Sequence, residues 1–394
     1  MIDRSKEFPI GGSITVEQLE QVPYGVLDEL RTHEPVSWVP AIGAWLVTRR
    51  DLAVEAMRDA ETFTVDDPRF TTAAVIGPSM LSLDGSEHER HRGAFAPHFR
   101  PTLVREQFES ELIDQAHALV DVIEPLGTAE LRTAFAGPMA VNTIMRFLGL
   151  ENVDAHDVLS WYGEIADAIV GLTLGRAVSV QSAEVIDEIH RRVRATIDGG
   201  SSPLLNALHD EGSLRPEELP TETAVVMFGA IETSEGMTSN LLWHLLTHPQ
   251  TLERVINDRS LLGAAMEESL RLEPAASVID RYTTRAVEIG GVAVPERDVV
   301  TLSLLGANRD PGVFAEPHRF DIDRPNLRQH VSFVQGPHGC IGLHLARLET
   351  HTAVNAVLDR LHELRLDAQA SSAPSGLIFR KPASVTASWS RVNR

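Results

Sequence analysis

Hydrophobic positions recur along most of this chain at the three- and four-residue spacing of helices that bury one face. The longest such stretch, 220–246, predicts one long helix in the middle of the chain. We predict helices over 52–57, 87–99, 104–124, 133–150, 155–170, 178–198, 220–246, 259–272 and 341–362.

Signals for strands are fewer and lie toward the two ends of the chain. The stretch 38–48 predicts a short hairpin around Gly43, and 287–305 predicts short strands with turns at Gly290 and Pro295. Further strands are expected between 377 and 389. Loops, turns or irregular polar chain are predicted at 66–78, 171–175, 199–203 and 309–332, where glycine and proline recur or helix signals are few. The pattern predicts a mainly α protein with a small β portion, organised as one domain over residues 1–394.

Composition limits the class of protein. The chain has 394 residues, of which 43% are hydrophobic, so it can bury a large core. Its formal net charge of −21 argues against binding to nucleic acid or to an anionic membrane surface. No apolar run reaches the roughly 18 residues of a membrane span, and residues 1–21 contain no signal-peptide pattern. We therefore expect a soluble, cytoplasmic protein with no membrane or nucleic-acid partner.

Cys340 is the only cysteine in the chain, so it cannot form an intramolecular disulfide. A helical pattern begins just after it, and a thiol at a helix N-terminus is biased toward the thiolate. Gly336, Gly339 and Gly342 would let backbone amides approach the sulfur. An inert buried cysteine is the alternative. The three glycines favour a thiolate held for metal ligation.

Residues 229–234 combine features that are unusual inside a helix: a glycine, a carboxylate and adjacent hydroxyls. Glycine lowers helix stability, and Ser or Thr can bond back to helix carbonyls and bend the helix. We predict a local widening here, where water could reach the backbone. The alternative is a partly exposed turn of an ordinary helix.

These stretches resemble motifs of the cytochromes P450. Phe333, Gly336, His338, Cys340 and Gly342 fill the pattern of the haem-binding loop, and Ala346, Arg347 and Glu349 fill its usual continuation. Glu232 and Thr233 occupy the acid and alcohol positions of the oxygen-activation motif, although Gly229 precedes Ala230 where the family commonly has Ala before Gly. Glu268 and Arg271 match the family's Glu-x-x-Arg pair, and Arg319 matches its second arginine.

The resemblance implies a helix-rich P450 domain that encloses haem b, with Cys340 as the iron ligand. It implies that His88, Arg92, Arg281 and His338 contact the haem propionates, and that Glu232 and Thr233 are catalytic. It implies a structural network of Glu268, Arg271 and Arg319. The remaining cofactor contacts that it implies are Gly229, Ala230, Phe333, Gly336 and Gly342.

The implied activity is that of a monooxygenase, which inserts one oxygen atom of O2 into a hydrophobic small molecule by hydroxylation or epoxidation. We expect a polyketide, terpenoid or steroid substrate of secondary metabolism. By family position, the pocket would draw on 66–80, 171–176, 276–279 and 377–379, with Ile76, Ala276, Val278, Ile279 and Ile378 making it apolar. Two alternatives stay open: a P450 that catalyses oxidative coupling or desaturation, and a haem-thiolate protein that binds a ligand without turnover.

The family also implies electron donors, namely a ferredoxin and an NAD(P)H-dependent ferredoxin reductase. An acidic ferredoxin would dock on a locally basic face. We expect that face to be built from arginines, since the chain has only two lysines, Lys6 and Lys381. The candidates are Arg90, Arg100, Arg105 and Arg347.

Overall fold

The computed structural model describes residues 4–150 and 154–391, and helices predominate, as predicted. The α-helices are α1 (Pro9–Ser13), α2 (Val16–Glu20), α3 (Tyr24–His33), α4 (Arg50–Arg58), α5 (Thr71–Ile76), α6 (Gly85–Phe95), α7 (Pro101–Ile123), α8 (Gly137–Leu148), α9 (Ala155–Thr173), α10 (Val180–Asp198), α11 (Pro203–Glu211), α12 (Glu218–Thr247), α13 (Pro249–Asn257), α14 (Leu262–Leu272), α15 (Leu304–Ala307) and α16 (Leu343–Arg360). No helix in the described ranges combines the length and the apolar character that a membrane crossing requires.

The strands are short, as expected. They are β1 (Val36–Val39), β2 (Ala44–Val47), β3 (Phe63–Thr64), β4 (Thr128–Glu130), β5 (Val278–Thr283), β6 (Val287–Ile289), β7 (Val292–Val294), β8 (Val299–Ser303), β9 (Arg365–Leu366), β10 (Pro374–Ser375), β11 (Lys381–Pro382) and β12 (Thr386–Ser388). The largest sheet has the order β1-β2-β8-β5-β3. Its inner strands β2 and β8 are parallel and pair Trp45 with Val300, whereas β8 and β5 are antiparallel and pair Thr301 with Asp280.

The chain forms two compact units, and the first comprises Met1–Asp67, Gly263–Cys340 and Ala373–Lys381. Its core lies between the five-stranded sheet and α4. Trp45, Val300 and Leu302 from the sheet pack with Met57 of α4 and with Val331, which precedes the cysteine loop. The alternation of inward and outward side chains along a strand explains why only one face of β2 and β8 contributes to this core.

The second unit comprises Pro68–Leu262, Ile341–Ser372 and Pro382–Arg394, and α12 packs at its centre. Helices α8, α9, α10 and α16 pack against α12, and most α12 side chains are buried. A small sheet in the order β4-β12-β9 also belongs to this unit. The prediction of one domain over residues 1–394 stays a prediction.

Several boundaries differ from those predicted. The predicted loop 66–78 contains α5, whose residues are mostly β-branched or alanine and which is stabilised by packing against α9, α10 and α12. Strand β5 and the helices α1, α2, α3, α11, α13 and α15 were not predicted. Of these helices, α11 and α13 begin at a proline, which is favoured in a first helical turn, whereas Pro203 had been placed in a predicted turn.

Candidate active site

The cysteine loop is a tight backbone structure in the first unit. The amide of Cys340 donates to the carbonyl oxygen of Phe333 at 2.8 Å, and the amide of Gly339 donates to that of Gly336 at 3.0 Å. These two bonds fold residues 333–340 back on themselves. Cys340 is half-buried, and α16 begins three residues later.

Two residues of this loop adopt left-handed backbone conformations. Gly336 has φ +76°, and a Cβ added to it would lie 2.4 Å from the carbonyl oxygen of Met57. Val334 has φ +61°, which costs a β-branched residue more than it costs glycine. Such strained backbone persists only when its surroundings over-determine it. At Val334, therefore, packing and not local preference holds the loop in its conformation.

The residues just before the loop are tied to buried polar groups. The Nε2 of His330 lies 2.8 Å from Oε2 of Glu267, and its Nδ1 accepts from the amide of Ser332 at 3.2 Å. These bonds assign the ring proton to Nε2. The hydroxyl of Ser332 donates to the carbonyl oxygen of Leu270, and the side chain of Asn308 bonds both Ser332 and Val331. The cysteine loop is thus anchored to α14 on its N-terminal side.

The two further cofactor residues expected in the first unit lie on different parts of it. Arg281 is in β5, buried, and donates to the carbonyl oxygen of Asp280 at 2.8 Å. His338 is half-buried within the cysteine loop. Among the expected pocket residues, Val278 and Ile378 are half-buried, whereas Ile279 packs against the sheet core.

The arginine network differs from the one implied by the resemblance. Arg271 forms a buried bidentate ion pair with Glu268, at 2.7 and 2.8 Å, as expected. The second guanidinium on Glu268 is that of Arg324, whose Nε lies 3.3 Å from Oε1. Arg319 contributes only its carbonyl oxygen, while its side chain pairs with Glu316 at the surface. The assignment of Arg319 to the network's second cation was wrong, because its side chain points to solvent.

The acid–alcohol pair lies in α12, which continues through residues 229–234 without a break. The hydroxyl of Thr233 donates to the carbonyl oxygen of Gly229, one turn earlier. This is the back-bond expected from the sequence, but the predicted widening of the helix is absent from α12. A π-helical turn occurs instead at Arg132–Ala136. The hydroxyl bonds a carbonyl that remains in the helical ladder, so it does not open the backbone.

Glu232 is buried and lies in an electrostatic cluster around Arg132. The Nε of Arg132 donates to Oε1 of Glu235 at 2.9 Å. Burial works to lower the pKa of Arg132, but the charges of Glu235, Glu130 and Glu232 together raise it. Arg132 was not among the predicted site residues, because it lies a hundred residues away from Glu232 in the chain.

Glu349 of α16 is fully buried beside Ser234, the residue that follows Glu232 and Thr233. Burial raises the pKa of Glu349 to about 8, while hydrogen bonds from Thr143 and Ser234 work in the opposite direction. The carboxyl is therefore mostly protonated at neutral pH. Ser234 is already engaged by Glu349, so it is poorly placed to substitute for Thr233.

His88 and Arg92 lie one turn apart on α6, and His88 is buried whereas Arg92 is half-buried. Between them, His91 bonds Glu222 of α12 through Nδ1 at 2.5 Å, and Glu222 also accepts from the amide of Met80 at 2.8 Å. Burial raises the pKa of Glu222 despite its bond to His91. This pair connects α6, α12 and the segment after α5.

The arginines expected to form a basic docking face are not all available. Arg90 pairs with Glu218 at 2.8 Å and with Glu87 at 2.6 Å. Arg105 pairs with Glu109 at 3.5 Å, although both side chains are largely exposed. Arg100 is exposed at the start of α7. Carboxylates around Arg90 reduce the local positive charge that the docking prediction required.

The residues that sequence reasoning missed share one property: their partners are distant in the chain. Arg324 reaches Glu268 across 56 positions, and His91 reaches Glu222 across 131. No spacing rule relates positions so far apart. The residues in question are Arg132, Asn308, Arg324, His330, His91 and Glu222.

The cysteine loop fits a haem-thiolate group on its own geometry. The only thiol of the loop is half-buried. Because Gly336 has no side chain, the backbone of the turn can approach Met57 closely. A thiolate is the ligand type that haem iron accepts in this class of protein. The donor chemistry and the glycine turn are those that such a ligand needs.

Comparison with known proteins supports the same conclusion. The cytochrome P450 family model matches residues 175–370. The 6-deoxyerythronolide B hydroxylase of Saccharopolyspora erythraea is 31% identical over 87% of this chain and 89% of its own. Cytochrome P450 monooxygenase PikC of Streptomyces venezuelae is 32% identical over 88% of this chain and 85% of its own. The solved structure of cytochrome P450 CREJ in complex with (4-ethylphenyl) dihydrogen phosphate has a TM-score of 0.84 and 26% identity, and covers 96% of this chain and 100% of its own.

Three observations indicate the same family: the order of the motifs, the helix-rich fold and the identity to these relatives. The similarity extends over nearly the whole chain. The cytochrome P450 family binds a haem-thiolate iron. The chain belongs to the cytochrome P450 family and is a P450 monooxygenase.

Proposed function

We propose that Cys340 ligates the iron of haem b and that the enzyme hydroxylates or epoxidises a hydrophobic small molecule. The observation that carries this proposal is the preorganised loop around the only cysteine of the chain. When bound, a haem iron with a thiolate ligand would supply the chemistry that inserts one oxygen atom of O2 into an unactivated carbon–hydrogen bond, while two electrons and two protons convert the other oxygen atom to water. The loop's backbone holds the sulfur in place, and His330 and Ser332 hold the loop.

Residues of this chain would also hold the carboxylates of the cofactor. His88, Arg92, Arg281 and His338 are the candidates, and guanidinium groups suit bidentate bonding to carboxylates. Phe333, Gly336, Gly342, Gly229 and Ala230 remain proposed cofactor contacts. Four basic groups for two propionates are a sensible balance of charge.

Thr233 is proposed to control proton delivery. Its hydroxyl proton is donated to Gly229, so the oxygen keeps lone pairs that can accept a hydrogen bond and hold a proton donor in place. Glu232 would relay protons inward from solvent. Arg132 interacts electrostatically with Glu232 and would help to hold its carboxyl group in place.

The substrate class is proposed from the relatives and the apolar segments together. One relative is named for hydroxylation of 6-deoxyerythronolide B and another as a mycinamicin IV hydroxylase/epoxidase. We propose a polyketide, terpenoid or steroid of secondary metabolism. Electrons would come from NAD(P)H through a ferredoxin reductase and a ferredoxin, in the cytoplasm. Arg100 and Arg347 remain the proposed docking residues.

Replacement of the sulfur tests the proposal. Cys340→Ser should lose the red-shifted Soret band of the reduced carbon monoxide complex, because no other thiol exists in the chain. Circular dichroism should show that the helices remain. A variant that keeps this band would overturn the assignment of Cys340. A Soret titration of the wild type with macrolactones, steroids and terpenoids would test the substrate class.

A further inference from the structure

Two segments that were expected separately to line the pocket form a single backbone structure in the first unit. Ala276 and Phe379 form an antiparallel bridge. The amide of Ser277 donates to the carbonyl oxygen of Ile378 at 2.8 Å, and the amide of Arg380 donates to that of Ala275 at 2.8 Å. We call residues 276–278 and 377–379 the platform. Because the two hydrogen bonds of this bridge join its two halves, a movement of one half carries the other with it.

The side chain of Ser277 connects the two halves of the platform. Its side chain is buried, and its hydroxyl bonds the carbonyl oxygen of Leu377 and lies 3.2 Å from that of Ile378. Its own carbonyl oxygen accepts from the amide of Leu305 at 3.1 Å. Ala276 and Val278 flank Ser277 in an extended chain and therefore point to the opposite face.

Arg380 holds the turn that carries the other half of the platform. Its guanidinium donates to the carbonyl oxygens of Pro374, Glu20 and Gly376 at 2.7, 2.8 and 3.1 Å, and to Oε2 of Glu273 at 3.0 Å. Gly376 has φ +121°, and a Cβ there would lie 2.0 Å from the carbonyl oxygen of Phe379. The turn has little freedom to change shape.

We infer that Ser277 is a positioning residue that sets the shape selectivity of the substrate pocket. The side chains of Ala276, Val278, Ile378 and Phe379 are half-buried, and they would be the ligand-facing part of the platform. Ser277 touches no ligand, but its two carbonyl partners carry the platform's second half. This inference rests on the proposed function, because the platform meets a ligand only if the protein binds one above a haem.

The test compares two azole probes on the haem-loaded enzyme. Imidazole binds the iron and makes few other contacts, whereas 4-phenylimidazole adds an apolar ring that must fit the pocket. Because Ser277→Ala loses a buried hydrogen bond, its affinity for 4-phenylimidazole should fall by about 2- to 10-fold, as measured from the Soret shift. Its affinity for imidazole should stay unchanged.

The matched control is Thr283→Ala. Thr283 lies farther along β5, is buried, and donates its hydroxyl to the carbonyl oxygen of Pro295 at 2.6 Å. Like Ser277→Ala, the variant Thr283→Ala removes a buried hydroxyl hydrogen bond. The two variants should therefore lower the midpoint of thermal unfolding by similar amounts. The ratio of the two azole dissociation constants should stay at the wild-type value.

An unchanged ratio in Ser277→Ala overturns the inference. If that variant retains no haem, Ile378→Ala replaces it, since it truncates a platform side chain and keeps the backbone bonds; an unchanged ratio there is equally decisive. A wild type that binds imidazole but not 4-phenylimidazole also overturns the inference. By contrast, a wild type with no Soret shift in imidazole overturns the proposed function itself.

Discussion

Arg324 and Glu268 form a buried ion pair in the first unit, with Arg324 Nε 3.3 Å from Glu268 Oε1. Both side chains are almost inaccessible to solvent. The guanidinium of Arg324 also donates to the carbonyl oxygens of Ala315, Glu316 and Arg319. One arginine thereby connects α14 to the irregular segment that leads toward the cysteine loop.

Replacement of Arg324 should therefore destabilise the protein far more than replacement of Arg319. Breaking one member of a buried ion pair costs on the order of 3 kcal/mol. Arg324→Gln should lower the free energy of unfolding by about this amount, measured by urea denaturation. Arg319→Gln is the matched control, since the Arg319 side chain is exposed and pairs only with Glu316 at the surface. If the two variants lost equal free energy of unfolding, Arg319 would have to be part of the Glu268 network.

Gly336 should not tolerate a side chain. In Gly336→Ala the new Cβ would lie 2.4 Å from the carbonyl oxygen of Met57, so the loop around Cys340 must shift. Gly43→Ala is the control: Gly43 has φ +62°, but nothing lies within 4 Å of its added Cβ. The control should cost only the roughly 1–2 kcal/mol of a left-handed non-glycine residue. We expect reduced haem content, measured by the pyridine haemochrome assay, only in Gly336→Ala.

Thr233→Ala should separate NADH consumption from product formation. The variant should bind haem and substrate normally but release most electrons as hydrogen peroxide, because the hydroxyl that positions the proton donor is missing. Thr247→Ala is the control on the same helix, since the Thr247 hydroxyl also donates to a carbonyl one turn earlier, that of Trp243 at 2.7 Å. Peroxide and product per NADH are the quantities to measure. Full coupling in Thr233→Ala would exclude the proposed role.

Glu232→Gln should behave differently from Thr233→Ala. An amide cannot carry a proton inward, but the Thr233 hydroxyl remains in place. We expect slower turnover with little added peroxide, measured as product and peroxide per NADH. A Glu232→Gln variant with the wild-type rate would show that protons enter by another path.

The pH dependence of stability should contain a contribution from Glu349. Its pKa is about 8 in the folded protein, above that of an unfolded glutamate. The folded state therefore binds this proton more tightly, so its stabilisation is complete below pH ~4.5 and is lost as the pH rises toward 8. Wild type should lose up to about 1.4 kcal/mol per pH unit across that window relative to Glu349→Gln. Exposed Glu211→Gln should follow the wild type at every pH, as judged by urea midpoints between pH 5 and 9.

The sequence determined those features whose residues are neighbours in the chain. The haem-loop pattern occupies ten consecutive residues, 333–342, and the bonds that close the loop lie within it. The pair Glu268 and Arg271 was implied by the family's Glu-x-x-Arg motif, whose three-residue spacing places both side chains on one face of a helix. The long helices were predicted because a buried face repeats with the helical period.

The tertiary structure decided what depends on distant partners. Arg324 and not Arg319 completes the Glu268 network, since only packing across 56 positions determines which side chain is inside. Helix α5 has four β-branched residues among its six, and it forms because α9, α10 and α12 pack against it. The protonation of Glu349 likewise depends on its surroundings, because burial makes a charged carboxylate costly.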